Sequence, residues 1–364
     1  MAACVDPYTV PATKEEANFL VVDGFLNGTT GVANVKLTHA IQLDENVPPP
    51  AEAHADVKVE SESGQLISLT EIKDGIYQAE EVTFDTSKKY RLRIKTSAGA
   101  SYSSDLVPIR QSPVLDSVSW RPEATGTRIY VSGHDPANQT IYYRYLFTET
   151  WEYRSELVSY FKKVNFQPVY RQPNEQVYTC WNSTFNQDVL TTSTKRLSSD
   201  RVSMFPVRML AKGSLLLGRT YSINVQQRAI TQEEYEYWEL IKKTTQSLGG
   251  LFDPLPSQVV GNVHNENDVN DKVLGFFTGG FVQEKRIFIG FYDLPGYLRT
   301  VDDRMLTCLP TFIPINHLEL VGDLTYLEQI GQPPTGYTAV QGTCADCRAL
   351  GGDTLRPKFW PNDF

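Results

Sequence analysis

Tyr90-Arg91-Leu92-Arg93-Ile94-Lys95 alternates apolar and cationic residues without a break. At the two-residue period of a β-strand, Tyr90, Leu92 and Ile94 face one side while Arg91, Arg93 and Lys95 face water. The surrounding sequence follows the same rule in short pieces. Ala55-Asp56-Val57-Lys58-Val59-Glu60 alternates before Ser63-Gly64, and Val35-Lys36-Leu37 alternates as well. Leu20-Val21-Val22 ends at Asp23-Gly24, Asp74-Gly75 precedes Ile76-Tyr77, and Ser97-Ala98-Gly99 turns the chain toward Ser101-Tyr102-Ser103. Short strands at this spacing, punctuated by turn residues, predict an immunoglobulin-like or transthyretin-like β-sandwich of roughly ninety residues over 18–110.

Pro108 to Pro113 reads as a boundary, and strands then resume. Ser117-Val118-Ser119-Trp120, Arg128-Ile129-Tyr130-Val131 and the aromatic run Ile141-Tyr142-Tyr143-Arg144-Tyr145-Leu146-Phe147 have strand character. So do Val177-Tyr178-Thr179-Cys180-Trp181, Tyr221-Ser222-Ile223-Asn224-Val225 and Arg286-Ile287-Phe288-Ile289. One helix is signalled near 231–248. Thr231 is a suitable N-cap with Glu234 three residues later, Ile230 and Tyr235 are placed as a hydrophobic staple, and Gly249-Gly250 stops it. Tyr235, Trp238, Ile241 and Leu248 would form its packing stripe. The expected architecture is mostly β: a tether over 1–17, the sandwich over 18–110, a larger β-rich domain with one packed helix over 111–340, and a Cys-containing tail over 341–364.

At 364 residues two domains are the natural expectation, and 41% hydrophobic with 21% charged residues is ordinary for a folded protein. A net charge of −9 without clustered Lys and Arg argues against a nucleic-acid surface. The 19 tyrosines and terminal Phe364 invite an outer-membrane barrel reading. Arg356-Pro357-Lys358-Phe359-Trp360-Pro361 speaks against it, because two prolines would interrupt the ladder of a closing strand.

Met1-Ala2-Ala3-Cys4 places a cysteine after one apolar and two small residues, like the tail of a lipoprotein signal. On that reading Cys4 is lipidated and the charged and apolar parts of the signal lie upstream of the given sequence. The alternative is an ordinary cysteine in a disordered arm. Setting Cys4 aside leaves Cys180, Cys308, Cys344 and Cys347, an even number suited to two disulfides in an oxidising compartment. Cys344-Ala345-Asp346-Cys347 is compatible with a disulfide pair, half a zinc site or a redox dithiol. Its position in a Pro/Gly/Thr-rich segment before Gly351-Gly352 favours disulfides.

Tyr143, Tyr145 and Trp151, with Glu149 and Glu152 beside them, are candidates for a sugar-stacking face, although strand aromatics more often pack in a core. Catalytic machinery is not evident. His39, His54, His134, His264 and His317 are scattered, there is no HExxH and no Gly-x-Ser-x-Gly, and no cofactor or metal is expected. Asn265 to Asp271 is rich in calcium-type oxygens but lacks an EF-hand's glycine and closing glutamate, so it reads as a surface loop.

Several stretches act together as a signature: Cys4-Val5-Asp6-Pro7-Tyr8, Phe19-Leu20-Val21-Val22-Asp23-Gly24, Tyr142-Tyr143-Arg144-Tyr145 running into Glu149-Thr150-Trp151-Glu152, and Tyr178-Thr179-Cys180-Trp181. Tyr235-Glu236-Tyr237-Trp238, Pro256-Ser257-Gln258-Val259-Val260-Gly261-Asn262-Val263, Cys344-Ala345-Asp346-Cys347-Arg348 with Gly351-Gly352, and Pro357-Lys358-Phe359-Trp360 complete it. Nearly the whole chain thereby resembles a family of Bacteroidota envelope lipoproteins known as domain of unknown function 4249. The resemblance implies an outer-membrane lipoprotein, typically encoded beside a TonB-dependent receptor, with no established enzymatic activity and hence no catalytic residues to carry over. The expected function is an accessory or binding partner of an outer-membrane TonB-dependent transporter. The alternatives are an independent glycan- or peptide-binding surface protein and an envelope enzyme of unrecognised type.

Overall fold

The computed structural model of the chain describes residues 19–41, 47–186, 188–246, 261–299 and 307–361. In chain order the strands begin with β1 (Leu20–Asn27), β2 (Val32–His39), β3 (Asp56–Ser61), β4 (Leu66–Lys73), β5 (Ile76–Ala79), β6 (Lys89–Lys95), β7 (Ser101–Ser104) and β8 (Val107–Arg110). There follow β9 (Ser117–Glu123), β10 (Gly126–His134), β11 (Tyr142–Arg154), β12 (Phe161–Val164), β13 (Gln167–Tyr170), β14 (Thr179–Phe185), β15 (Leu190–Ser193), β16 (Arg201–Ala211) and β17 (Thr220–Ala229). Helix α1 (Gln232–Gln246) precedes β18 (Val263–Asn265), β19 (Leu274–Gly280), β20 (Gln283–Gly290), β21 (Thr311–Pro314), β22 (Thr325–Ile330), β23 (Gly336–Val340) and the short helix α2 (Gly342–Ala345). The protein is mostly β, as its periodicity predicts.

It forms two units. The first comprises residues 1–112 and 229–282, the second residues 113–228 and 283–364. Helix α1, expected in the second domain, therefore belongs to the first. The reason is β19, which pairs in parallel with β1 from Val21↔Leu274 to Asn27↔Gly280 and carries the preceding helix with it.

In the first unit the strand order is β18-β7-β6-β3-β4-β5-β2-β1-β19-β8, and β8 also pairs with β6, so the ladder closes on itself. The alternation read from the sequence sets the core: Val57, Val59, Tyr90, Leu92 and Ile94 point inward with Leu20, Val22, Val35 and Leu37. Close approach dictates a glycine in β19. Gly275 has φ +104°, and a Cβ there would lie 1.8 Å from the carbonyl oxygen of Val22. Its N–H donates to Tyr237 Oη of α1 at 2.8 Å.

The helix begins at Thr231, whose Oγ1 accepts the Glu234 N–H at 3.1 Å. Its buried face centres on Tyr237, 7% exposed, with Trp238, Leu240 and Ile241 around Phe276 of β19. The expected stripe is thus turned: Tyr235 lies beside the buried face, and Leu248 and Gly249-Gly250 fall outside the described residues. Glu234 is fully buried, accepting hydrogen bonds from Thr278 Oγ1 at 2.8 Å and Trp238 Nε1 at 3.3 Å.

The outward residues of β3 and β6 make an ion cluster. Arg91 Nε and Arg93 Nε each lie 2.6 Å from Glu60 Oε2, and they hold the Glu60 carboxyl at about 2, below its ordinary 4.5. A carboxyl with a depressed folded-state pKa stabilises the fold above its unfolded pKa and loses that contribution as pH falls through the folded one. Glu60→Gln should therefore lower the melting temperature at pH 7, and the gap to the natural protein should close between pH 4.5 and about 2. Both arginines are more than a third exposed, so added salt should shrink the gap. A gap that stays constant from pH 7 to 2 in thermal melts would refute this role.

The second unit is a sandwich of a three-stranded sheet, β16-β10-β9, and a larger sheet, β14-β11-β17-β20 with β15 on β11. Ile129, Val131, Val207 and Leu210 from the first sheet meet Tyr143, Tyr145, Phe147, Tyr221, Ile223 and Ile289 from the second. A β12–β13 hairpin and a small β21-β23-β22 sheet complete the unit.

Two disulfides, Cys180–Cys347 and Cys308–Cys344, hold the C-terminal segment to this unit. Trp181 and Asp353 form a β-bridge, and a Cβ on Gly352 would lie 2.0 Å from Tyr153 Oη, so only glycine lets the tail run this close. Trp360, 5% exposed, packs edge-on against Trp181 and Phe288.

Candidate functional site

The β12–β13 hairpin walls a cleft of about 500 Å³ in the second unit, a size typical of small-molecule sites. Its two-residue link, Asn165-Phe166, has both residues at positive φ, +50° and +63°. That is the hairpin geometry usually given to Asn-Gly, and phenylalanine adopts it at a cost. Tyr326 Oη donates to the Phe166 carbonyl at 2.8 Å and fixes the tip. At the other end, Phe161 packs edge-on against Tyr170 and Tyr337.

Lys162, Lys163, Arg171, Glu175, Asp323 and Arg348 supply the charge in the lining. Lys162 is hydrogen bonded to Glu175 Oε1. Glu175 Oε2 accepts the Gln172 N–H at 2.9 Å and caps the turn Pro173–Glu175. These contacts, that to Lys162 first, lower the Glu175 pKa. Arg348 grips Asp346 with Nε at 2.9 Å and Nη2 at 2.7 Å, and it follows Cys347 of the Cys180 disulfide. Arg171 donates from Nε to Ser159 Oγ at 3.2 Å and from Nη1 to the Glu175 carbonyl at 3.3 Å. Desolvation is the main cause of its lowered pKa, with Asp346 and Glu175 opposing. Lys163 donates to the Gly322 carbonyl. Among the described residues, neither Arg171 nor Lys163 has a carboxylate within ion-pair distance.

The residues singled out from the sequence fall elsewhere. Tyr143 and Tyr145 are 1% and 0% exposed, so neither ring can stack on a sugar. Desolvation raises both phenol pKa values, and the carboxylates of Asp200 and Asp135 add to it at Tyr143. Trp151 is half-buried and packs against the same core. Glu149 and Glu152, read as flanking carboxylates, are also buried. β11 lies inside the larger sheet, between β14 and β17, with its aromatic face on the core. Cys180, Cys308, Cys344 and Cys347 all form disulfides, so none ligates zinc or cycles as a dithiol in this state. Cys4 lies outside the described residues. In the Asn265–Asp271 loop the Asn265 amide and Tyr102 Oη both donate to Asp271 Oδ2 at 2.7 Å, a loop held by its own side chains. Among the described residues no group of three or more His, Cys, Asp or Glu could hold a metal ion.

The cleft was missed in the sequence because its cations come from β12, the segment after β13, and the turn after Cys347. Only Lys162-Lys163 is local, and a single basic pair on a short strand is an ordinary surface feature.

No curated protein matches the chain significantly. Among solved structures it is similar to a two-domain fibronectin type III segment of chicken tenascin, at 13% identity over 57% of this chain and 88% of that one, with a TM-score of 0.15. It is also similar to the adhesin InvE of Yersinia pseudotuberculosis, at 13% identity, 59% and 57% coverage and a TM-score of 0.14. A putative carbohydrate-binding protein of Bacteroides uniformis follows, at 9% identity, 59% and 91% coverage and a TM-score of 0.13. At these scores the likenesses carry no argument about the chain. Sequence decides the family instead: a family model matches residues 5–286, and the chain belongs to the family described as Domain of unknown function (DUF4249).

Proposed function

We propose that the protein is a non-enzymatic lipoprotein of the cell envelope, anchored to the outer membrane through Cys4, that binds a small polar ligand in the cleft of its second unit as an accessory of a TonB-dependent transporter. The observation that carries the binding role is the cleft's prior organisation. Lys162 is tied to Glu175 and Arg348 to Asp346 before any ligand arrives, so little side-chain ordering remains to oppose binding. The two disulfides suit an oxidising compartment outside the cytoplasm. The anchor rests on the Met1–Cys4 pattern, and the transporter partnership on the family resemblance.

Gentle crosslinking in native outer membranes, followed by pull-down through a C-terminal tag and mass spectrometry, tests the partnership. Stoichiometric recovery of a TonB-dependent receptor is the expected result. Recovery of the protein alone would overturn the accessory role and leave a surface binder acting by itself, the reading the cleft also supports.

A further inference from the structure

We infer that the cleft receives an oxyanion, a carboxylate or phosphate carried by a small polar ligand, between Arg171 and Lys163. The inference rests on the cleft being the protein's ligand site and names the chemistry of what it takes. Four cationic side chains line the cleft in a protein whose net charge is −9. Glu175 answers Lys162, and Asp346 answers Arg348. Arg171 and Lys163 remain without an ion pair among the described residues, and Asp323, the other carboxylate of the lining, is exposed and pairs with neither.

Arg171 is built to present its charge. Ser159 Oγ and the Glu175 carbonyl hold the guanidinium from one side through Nε and Nη1, both neutral acceptors. The donors left over belong to a rigid planar fork, the geometry that matches carboxylate and phosphate oxygens in pairs. Ser159 is itself anchored, since its hydroxyl donates to the Tyr326 carbonyl at 2.7 Å. The burial that lowers the Arg171 pKa outweighs the opposing charges of Asp346 and Glu175, neither of which lies within ion-pair distance, so part of the lost hydration is left for an incoming anion to replace. Lys163 adds a second charge from an exposed position on β12. Asn174, Thr325 and Thr354 lie in the same lining and offer neutral hydrogen bonds to the rest of a polar ligand.

The test is a titration of the ¹⁵N-labelled full chain with galacturonate, inorganic phosphate and galactose, followed on the arginine Nε–Hε resonances. Arg171→Gln assigns the reporting signal. The expected result is a saturable shift of the Arg171 resonance with galacturonate or phosphate and none with galactose, weakening as salt is raised. Stronger binding of galacturonate identifies a carboxylated ligand, and stronger binding of phosphate a phosphorylated one. Lys163→Gln, at an exposed site, should weaken the favoured anion by about two- to fivefold with the melting temperature unchanged. This variant keeps the test decisive if Arg171→Gln fails to fold. Equal shifts with galactose and the anions would overturn the oxyanion site while leaving the binding role intact. No shift of any cleft residue with any of the three probes would overturn both.

Discussion

Replacing Cys180 and Cys347 together by serine will lower the unfolding free energy of the second unit by about 3–5 kcal/mol. The bridge joins residues 167 apart in sequence, and chain entropy alone assigns a loop of that size about 5 kcal/mol. The inner bridge, Cys308–Cys344, spans 36 residues and by the same relation contributes about 4 kcal/mol. It lies wholly within the outer loop and shortens it by that span. Because the cost grows only with the logarithm of loop length, the outer bridge keeps nearly all of its effect. Against a typical domain stability of about 5–15 kcal/mol, its loss is a large fraction.

Trp120, Trp151, Trp181 and Trp360 lie in the second unit and Trp238 in the first. Tryptophan fluorescence in urea therefore reads mainly the unit that carries the bridges. The double-serine variant should unfold there at clearly lower urea, while the first unit, which holds no disulfide among its described residues, keeps its transition. Coincident urea midpoints for the natural protein and the variant would show that the bridge does not constrain the unfolded chain. The cleft should feel the loss as well. Arg348 is adjacent to Cys347, and the Cys347 N–H donates to the Val177 carbonyl at 2.9 Å, so release of the bridge frees one wall.

How much of this the sequence could reveal follows from which faces meet water. β3 and β6 were legible because one side of each is core and the other is charged, leaving the full two-residue alternation in view. β19, Leu-Gly-Phe-Phe-Thr-Gly-Gly, was not, because nearly every residue in it is buried and its glycines answer close contacts with neighbouring strands rather than a solvent face. Its partner β1 lies some two hundred and fifty residues earlier, and no local pattern announces such a pairing. β11 is legible as a strand, but the sequence leaves open whether its aromatic face packs in the core or meets a ligand. Aromatics at alternate positions show that a strand has two sides without saying which side is wet, and here the ring-bearing side of Tyr143, Tyr145 and Phe147 is the core. The helix was legible from its cap, yet its buried face turned because Tyr237 Oη has a specific use, accepting the Gly275 N–H. For the cysteines, the even count gave the chemistry, while the pairing depended on how the tail crosses the sheet.

Glu149→Leu is expected to destabilise the second unit by about 3–5 kcal/mol, the usual cost of breaking a buried ion pair from one side. Glu149, on β11 and 3% exposed, accepts Tyr221 Oη at 2.5 Å and Arg208 Nε at 2.9 Å. The three residues come from β11, β17 and β16, so the carboxylate joins the two sheets of the sandwich at a point where apolar packing surrounds it. Desolvation and the neighbouring Glu149 charge push the Tyr221 phenol well above its ordinary range, which keeps it a donor at every accessible pH. Desolvation pulls the Arg208 pKa down, but the hydrogen bond it donates to Glu149, together with the nearby charges of Glu149 and Asp188, outweighs that and leaves the pKa raised. Leucine would strand both donors, and the buried hydroxyl of Tyr221 has no water to turn to. Glu149→Gln keeps an acceptor of the same shape and loses only the charge, so it should cost less than Leu. Arg208→Met should cost nearly as much as Glu149→Leu, because it leaves the carboxylate buried without its cation. The double variant Glu149→Leu/Arg208→Met decides what the pair does. If the cost of each single change is mainly the stranded partner, the double variant will be more stable than the sum of the singles predicts, with a coupling of about 1–3 kcal/mol in urea unfolding. Strict additivity would mean that the carboxylate and guanidinium stabilise the sandwich independently, and the bridge between the sheets would then be a neighbourly contact rather than an interaction.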